Sequence, residues 1–374
     1  MRLPPAHRET AGRALFSYVI DPFLAGAERE ISYSHTQDWE SWAMATTLAE
    51  LGFAVDVVHW TNRDFVPPGR YDLVIDVRSN LERWAPVVGA EALLLAHLET
   101  AHWSVNNDAQ RARLAELAAR RGIHLHRLRL VEENRVIESA AAATILGNEF
   151  TQESYRFAGK PLYRLPISNP FLYPTPADKD FAAVRRRFVY FGGIGFVHKG
   201  LDLVLEAFAG APELELLVMA PVDREPDFAR AFDRELRRSP NIRLLGWQDV
   251  ASPRFLAAAR SALATVFPSC AEGGGGSVVT AMHAGLIPVV TRSASVDVTP
   301  ATGVTLADPR VETIRAAARE LAARPPADLA ATAESAWRFV RARHTRESFR
   351  REYRAALHAI LERFRPTLAR RVAA

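Results

Sequence analysis

Residues 188–208 read FVYFGGIGFVHKGLDLVLEAF and residues 264–290 read ATVFPSCAEGGGGSVVTAMHAGLIPVV. Each opens on an apolar run of strand length, passes through glycines and continues with apolar residues at helical spacing. Each is therefore read as a strand, a glycine turn and a helix. In the first, Gly192, Gly193 and Gly195 make the turn and a helix is expected from about Leu201. In the second, the strand ends at Pro268, Gly273, Gly274, Gly275 and Gly276 follow Glu272, Gly276 or Ser277 caps the helix, and Gly285 stops it. Glycines let backbone approach a ligand, and a helix N-terminus presents unpaired N–H groups to an anion. Four glycines in a row cost conformational entropy that a plain connection avoids, so close approach of a ligand is the expected reason for them. Lys199 adds a positive charge at the first turn, and Glu272 stands at the rim of the second. A dinucleotide fingerprint is excluded, because His198 occupies the place of its third glycine and no acidic residue closes the following strand.

The same rhythm extends outward from these two stretches. Apolar runs recur at 14–20, 53–60, 71–77, 92–98 and 144–147, with helix-like segments such as 42–51 and 109–121 between them. A second series follows at 188–191, 214–220, 242–247, 262–267 and 287–290. Strands alternating with helices predict parallel sheets, hence an α/β chain of two doubly wound domains facing across a cleft. Pro166, Pro170, Pro174 and Pro176 mark a linker between them. The expected domains are 1–170 and 171–348, with a C-terminal helix at about 349–374 packing back on the first. That helix carries Phe349, Tyr353, Leu357, Ile360 and Phe364 on one face and arginines between them.

Composition narrows the function classes. Charged residues are 24% and apolar residues 48% of the 374, a globular balance, and one cysteine, Cys270, excludes a disulfide scaffold or a multi-cysteine zinc site. A formal charge of +4 is too small to indicate nucleic-acid binding. No 18-residue apolar run occurs, and Asp21 with Pro22 interrupts the first apolar stretch, so a cytoplasmic protein without signal peptide or membrane span is expected. The arginine-rich tail is read as a solvated face, with weak peripheral contact to the inner membrane surface as its alternative. Asp178 and Asp180 form the one Asp-x-Asp by letter, but they lie in the linker and are read as solvated charge; no metal site and no cofactor are expected.

Together, the Gly192 turn, Lys199-Gly200, Pro268-Ser269, Glu272-Gly273, Gly285 and Pro288-Val289 resemble the donor domain of GT-B glycosyltransferases, specifically the large retaining family 4, or group 1. The resemblance is close over 188–290 and loose over the rest. It implies a GT-B fold and transfer of a sugar from a nucleotide diphosphate sugar to a hydroxyl acceptor, glycan or lipid-linked, with retention and without a metal. It further implies that Lys199 neutralises the leaving diphosphate and that Glu272 hydrogen-bonds the transferred sugar, while Gly192, Gly193, Gly195, His198, Gly273 to Gly276, Ser277 and Thr280 line the donor site. Two positions depart from the family pattern. The basic residue that normally follows the first glycine is Gly193, which leaves His198 as the one cationic helper for Lys199, and the second glutamate, which normally holds the ribose, is Thr280.

The N-terminal domain is expected to bind the acceptor through loops at its strand ends. These supply His35 and Asp38, Glu99 and His102, and Asn148 with Thr151, the last two also suited to capping a helix. His102 is the favoured catalytic histidine, since His97 falls within a strand, and His35 is second. Cys270 is read as a buried thiol rather than a nucleophile. The departures at Gly193 and Thr280 motivate two alternatives: a silent GT-B scaffold that binds a glycan, nucleotide or protein, and a GT-B nucleotide-sugar epimerase.

Overall fold

The computed structural model describes residues 1–6, 10–24 and 28–373. Two separate sheets form. The first comprises β1 (Arg2–Leu3), β2 (Gly12–Tyr18), β3 (Phe53–His59), β4 (Leu73–Asp76), β5 (Leu93–Leu98), β6 (Ala142–Ile145) and β7 (Leu162–Arg164), in the order β1-β3-β2-β4-β5-β6-β7. All neighbours are parallel except β1, which lies antiparallel on β3 at one edge. The second comprises β8 (Arg187–Phe191), β9 (Glu215–Met219), β10 (Ile242–Leu244), β11 (Ala264–Phe267), β12 (Ile287–Thr291) and β13 (Val304–Leu306), ordered β10-β9-β8-β11-β12-β13 and parallel throughout. Strands covered by helices on both faces must be apolar on both, and β4, β6, β11 and β12 are buried along their whole length. Two Rossmann-like α/β domains facing across a cleft define the GT-B architecture, as the alternation of strands and helices predicts.

Three local readings shift. The run expected at 144–147 begins at Ala142, because Ala142 and Ala143 already pair with Leu95 and Ala96 of β5. The linker is not a solvated tether, since Leu165, Ile167, Ser168 and Asn169 are all buried in the seam between the domains. The C-terminal chain forms two helices, Arg346–Phe364 and Pro366–Ala373, separated at Arg365. The first is capped by the Thr345 hydroxyl, which accepts the Ser348 N–H at 3.0 Å. It packs on the helix Thr36–Glu50 of the N-terminal domain, with Phe349 edge-on to Trp39 and Arg354 paired to Glu50. Among the described residues no helix is long and apolar enough to cross a membrane.

Candidate functional site

The turn after β8 delivers Lys199 to the cleft. Gly200 follows it at φ +74°, pressed so closely on Pro268 that a Cβ there would lie 2.7 Å from the Pro268 carbonyl oxygen. This contact locks the first glycine turn to the end of β11, where Glu272 begins the second. Lys199 Nζ stands 3.5 Å from Glu272 Oε1, and the Ser269 hydroxyl donates to the same oxygen at 2.8 Å. Only about a tenth of either charged side chain is exposed. Burial alone would raise the Glu272 pKa, but Lys199 and Arg129 override it and hold the carboxyl at about 2. Burial lowers the Lys199 pKa, and the Glu272 charge opposes that shift. Glu272 is therefore a fixed anion able to accept hydrogen bonds, beside a cation in a dry place.

His198 is not the second cation. Its ring is fully buried, Nε2 donates to the Ala271 carbonyl, Nδ1 faces the side-chain amide of Gln110, from which a neutral ring accepts, and desolvation depresses its pKa to about 4. A second cation beside Glu272 is Arg129, whose Nη1 is 3.5 Å from Glu272 Oε1. Sequence reasoning passed over Arg129 because it sits in the irregular segment 122–135 of the other domain, in no motif. Cys270 is 3.5 Å from His198 Nδ1, and burial pushes its thiol up to about 12, so it supplies no thiolate.

Close approach at the four glycines comes in part from the protein itself. A Cβ on Gly273 would lie 1.7 Å from the Glu99 carbonyl oxygen, and one on Gly274 would lie 2.2 Å from Ile167 Cδ1. Gly275 adopts φ +56° as the helix cap, with Ala294 and Val296 against it. The N-terminal domain and the linker thus press directly on Gly273 and Gly274, which also line the cleft. Gly276 alone has space, its nearest neighbour being Thr36 Cγ2 at 4.0 Å. Gly276 and Ser277 lie within the first turn of the helix Gly276–His283, and the cap is Gly275 rather than either of them. In the first turn Gly192 is packed on Phe267 and Tyr190, Gly193 faces open space, and Gly195 at φ +91° supports Arg129. Thr280 hydrogen-bonds within the protein, its hydroxyl lying 2.8 Å from Asn169 Oδ1 and 2.9 Å from the Gly276 carbonyl. Its one proton is thereby engaged.

One cavity of about 360 Å³ joins Lys199, Glu272, Gly273 to Gly276, Ser277 and Thr280 to Tyr18, His35, Glu40, Arg78 and Glu99 of the N-terminal domain. Glu99 is ionised there, since Arg78 is paired to it and the Tyr18 hydroxyl donates at 3.0 Å, overcoming a burial that acts the other way. His35, the residue before the helix Thr36–Glu50, is exposed at the mouth of the cleft, where partial desolvation by the cavity walls lowers its pKa. Glu40 receives the Ser168 hydroxyl at 2.8 Å, while burial raises its pKa to about 7.

Three expected acceptor residues lie elsewhere. His102 precedes the helix Trp103–Arg121, its Nδ1 is 2.8 Å from the Ser104 hydroxyl, and its ring is enclosed by Trp103, Tyr155 and Phe157, outside the cavity. An apolar aromatic pocket accounts for it better than catalysis does. Asp38 is turned away by the helix that starts at Thr36 and lies near Asp21. Asn148 caps the helix Glu149–Ser154 by accepting the Phe150 N–H, and its amide donates across the seam to the Arg292 and Val296 carbonyls. Asp178 pairs with Arg260 and Asp180 caps the short helix Phe181–Val184.

The fold and this cleft define a two-domain GT-B protein. Residues 185–324, which span β8 to the end of the helix Val311–Ala323, match the family model described as glycosyl transferases group 1. No curated protein sequence matches the chain. Solved structures resemble it over nearly its whole length. The sucrose-phosphate synthase of Thermosynechococcus elongatus aligns with TM-score 0.63 at 15% identity, covering 94% of this chain and all of that one. The Anabaena protein HepE, in complex with UDP and glucose, aligns with TM-score 0.58 at 14% identity over 93% of this chain and all of its own. A glycosyltransferase from Rickettsia africae aligns with TM-score 0.58 at 11% identity over 96% of this chain and all of its own. At these identities the likeness speaks for the fold.

Proposed function

We propose that this chain is a glycosyltransferase that moves a hexosyl unit from a nucleotide diphosphate sugar to a hydroxyl acceptor, a glycan or lipid-linked sugar, with retention and without a metal. The observation that carries the reading is the buried Lys199–Glu272 pair beside the N-terminus of the helix Gly276–His283, in a cavity that both domains line. When the bond between the sugar C1 and the β-phosphate oxygen breaks, negative charge collects on the diphosphate. Lys199 and the unpaired N–H groups of that helix stand ready to receive it, and fixed donors in a dry site need no reorganisation. Glu272, ionised over the working pH range, accepts hydrogen bonds from hydroxyls of the transferred sugar. The N-terminal wall of Tyr18, His35, Arg78 and Glu99 offers donors and acceptors to the acceptor hydroxyls. On this reading the protein works in the cytoplasm, with its arginine-bearing terminal helices as the surface for any contact with an anionic membrane.

Thermal shift against UDP, GDP and ADP, followed by assays of sugar transfer and donor hydrolysis, tests this reading. A ligand at about 100 times its dissociation constant adds roughly 2.7 kcal/mol of stability. Binding with transfer supports it. Binding with neither transfer nor hydrolysis would favour the silent scaffold, and interconversion of free nucleotide sugars without acceptor would favour the epimerase.

A further inference from the structure

Segment 122–135 leaves the helix Trp103–Arg121 at Gly122 and crosses toward the second domain without regular secondary structure. It is nonetheless held at defined points. The buried Asn107 side chain both donates to the Val131 carbonyl at 2.9 Å and accepts the Val131 N–H at 2.8 Å. The buried Asn106 amide donates to the Arg129 carbonyl at 3.2 Å, and Arg127 Nη1 donates to the Arg224 carbonyl of the second domain at 2.7 Å. The backbone is therefore fixed on both sides of Arg129, whose side chain lies across Gly195 and reaches Glu272. A Cβ on Gly195 would come 2.8 Å from Arg129 Cδ, so that glycine makes room for the arginine.

Lys199 and Arg129 approach one carboxylate oxygen from different domains. With His198 neutral, this cluster holds two cations against one anion, beside a helix N-terminus and open to the cavity. Lys199 is nearly enclosed, while the planar guanidinium of Arg129 is 44% exposed and keeps N–H groups free to grip phosphate oxygens in pairs, so the two together suit an anionic ligand. We propose that Arg129, on the strap of the N-terminal domain, is the second cation of the donor diphosphate site, so that a bound diphosphate bridges the two domains. The proposal rests on the donor-site reading above and adds to it a residue from the opposite domain. It also explains how the turn after β8 can dispense with a basic residue at Gly193.

Calorimetry on the full chain tests it, with UDP, GDP and ADP, inorganic pyrophosphate, and uridine as a probe lacking phosphate. Arg129→Gln is expected to weaken the tightest nucleoside diphosphate and pyrophosphate by roughly tenfold to a hundredfold and to leave uridine unchanged. Arg129→Lys should lose less. Gly193 has a φ outside the left-handed region and no neighbour within 4 Å of a Cβ, so the turn accepts a side chain. Adding Gly193→Arg to Arg129→Gln should then recover at least part of the diphosphate affinity. Unchanged diphosphate binding in Arg129→Gln, with a loss in Lys199→Ala, would overturn the role of Arg129 and leave the donor reading standing. An equal loss for uridine would assign Arg129 to the structure of the strap and overturn the proposal. A wild-type protein that binds none of the phosphates would overturn both.

Discussion

Lys199 and Glu272 are each other's neighbours in a place nearly closed to water, so removing one changes the energy of the other. Lys199→Ala leaves Glu272 with Arg129 and Ser269 as partners, which softens but does not cancel the cost of an under-compensated buried charge. Transfer should fall by roughly a hundredfold or more, since a lost transition-state contact of this kind is worth several kcal/mol. The melting temperature should fall as well, reflecting about 1–3 kcal/mol. Combining Lys199→Ala with Glu272→Gln should restore part of the stability and none of the activity. A single variant with normal Tm and normal kinetics would remove Lys199 from the site. Glu272→Gln on its own should reduce transfer at least tenfold more than it weakens the free nucleoside diphosphate, because only the sugar-bearing ligand needs the carboxylate. Equal losses for nucleotide and nucleotide sugar would show that Glu272 holds the nucleotide instead. Both residues were legible in the sequence because each stands at a fixed offset from a glycine turn, and the turn carries it to the cleft. Arg129 was not, because its position depends on the path of an irregular strap and on two buried asparagines that no local pattern announces. His102 misled for a related reason: a histidine after a strand is easy to find, but its aromatic cage is assembled from Tyr155 and Phe157, some fifty residues away in the chain.

At the scale of elements, the glycine run is a place of close approach, and part of what approaches is the other domain. Strand, turn and helix follow from local spacing, whereas the neighbour that fills the space belongs to the other domain and leaves no mark near Gly273. Gly273→Ala must displace the Glu99 carbonyl backbone, which has no flexible side chain to yield. It should therefore lower Tm and impair transfer together, by parting the domains at the seam. Gly276→Ala meets only Thr36 Cγ2 at 4.0 Å and begins a helix, so its stability should be unchanged or improved by up to about 1 kcal/mol. Melting curves of the two variants decide the matter. If both are as stable as wild type and both lose nucleotide binding, the glycines make room for ligand after all. The hydroxyl of Thr280 likewise joins the donor helix to the linker through Asn169, an inter-element role that a residue type alone does not reveal.

The molecule as a whole encloses His97, His198, His283 and His344, and burial holds their pKa values down, to about 4 for the first three and about 3 for the last. Each has a folded pKa below its unfolded value near 6.5, so the unfolded chain binds more protons as pH falls below that value. Their contribution to stability is complete above pH 6.5 and is lost as pH drops toward 4, with a slope approaching about 1.4 kcal/mol per pH unit for each histidine. Glu40, at about 7, and Asp202, at about 6, act in the opposite sense, because burial raises them and the native state keeps their protons longer. Histidines lowered by burial, His35 and His102 among them, outnumber the acids it raises, Asp38 and Asp76 among them, so Tm should fall between pH 7.5 and pH 4.5. The seam should feel the change first, since His344 Nδ1 accepts the Ile167 N–H of the linker at 3.0 Å and His283 Nε2 donates to the His344 carbonyl at 2.9 Å. Protonating His344 at Nδ1 removes that acceptor at the point where the linker passes Gly274 and Glu40. Nucleoside diphosphate binding, for which we propose that both walls of the cavity are needed, should thus weaken at a higher pH than that of global unfolding. His344→Gln, which keeps an acceptor but cannot titrate, should flatten the acid limb of the stability curve by about one proton and let binding persist to lower pH. A wild-type Tm that stays level from pH 7.5 to 4.5, or a variant whose profile is parallel to that of wild type, would refute the neutral, buried state assigned to His344.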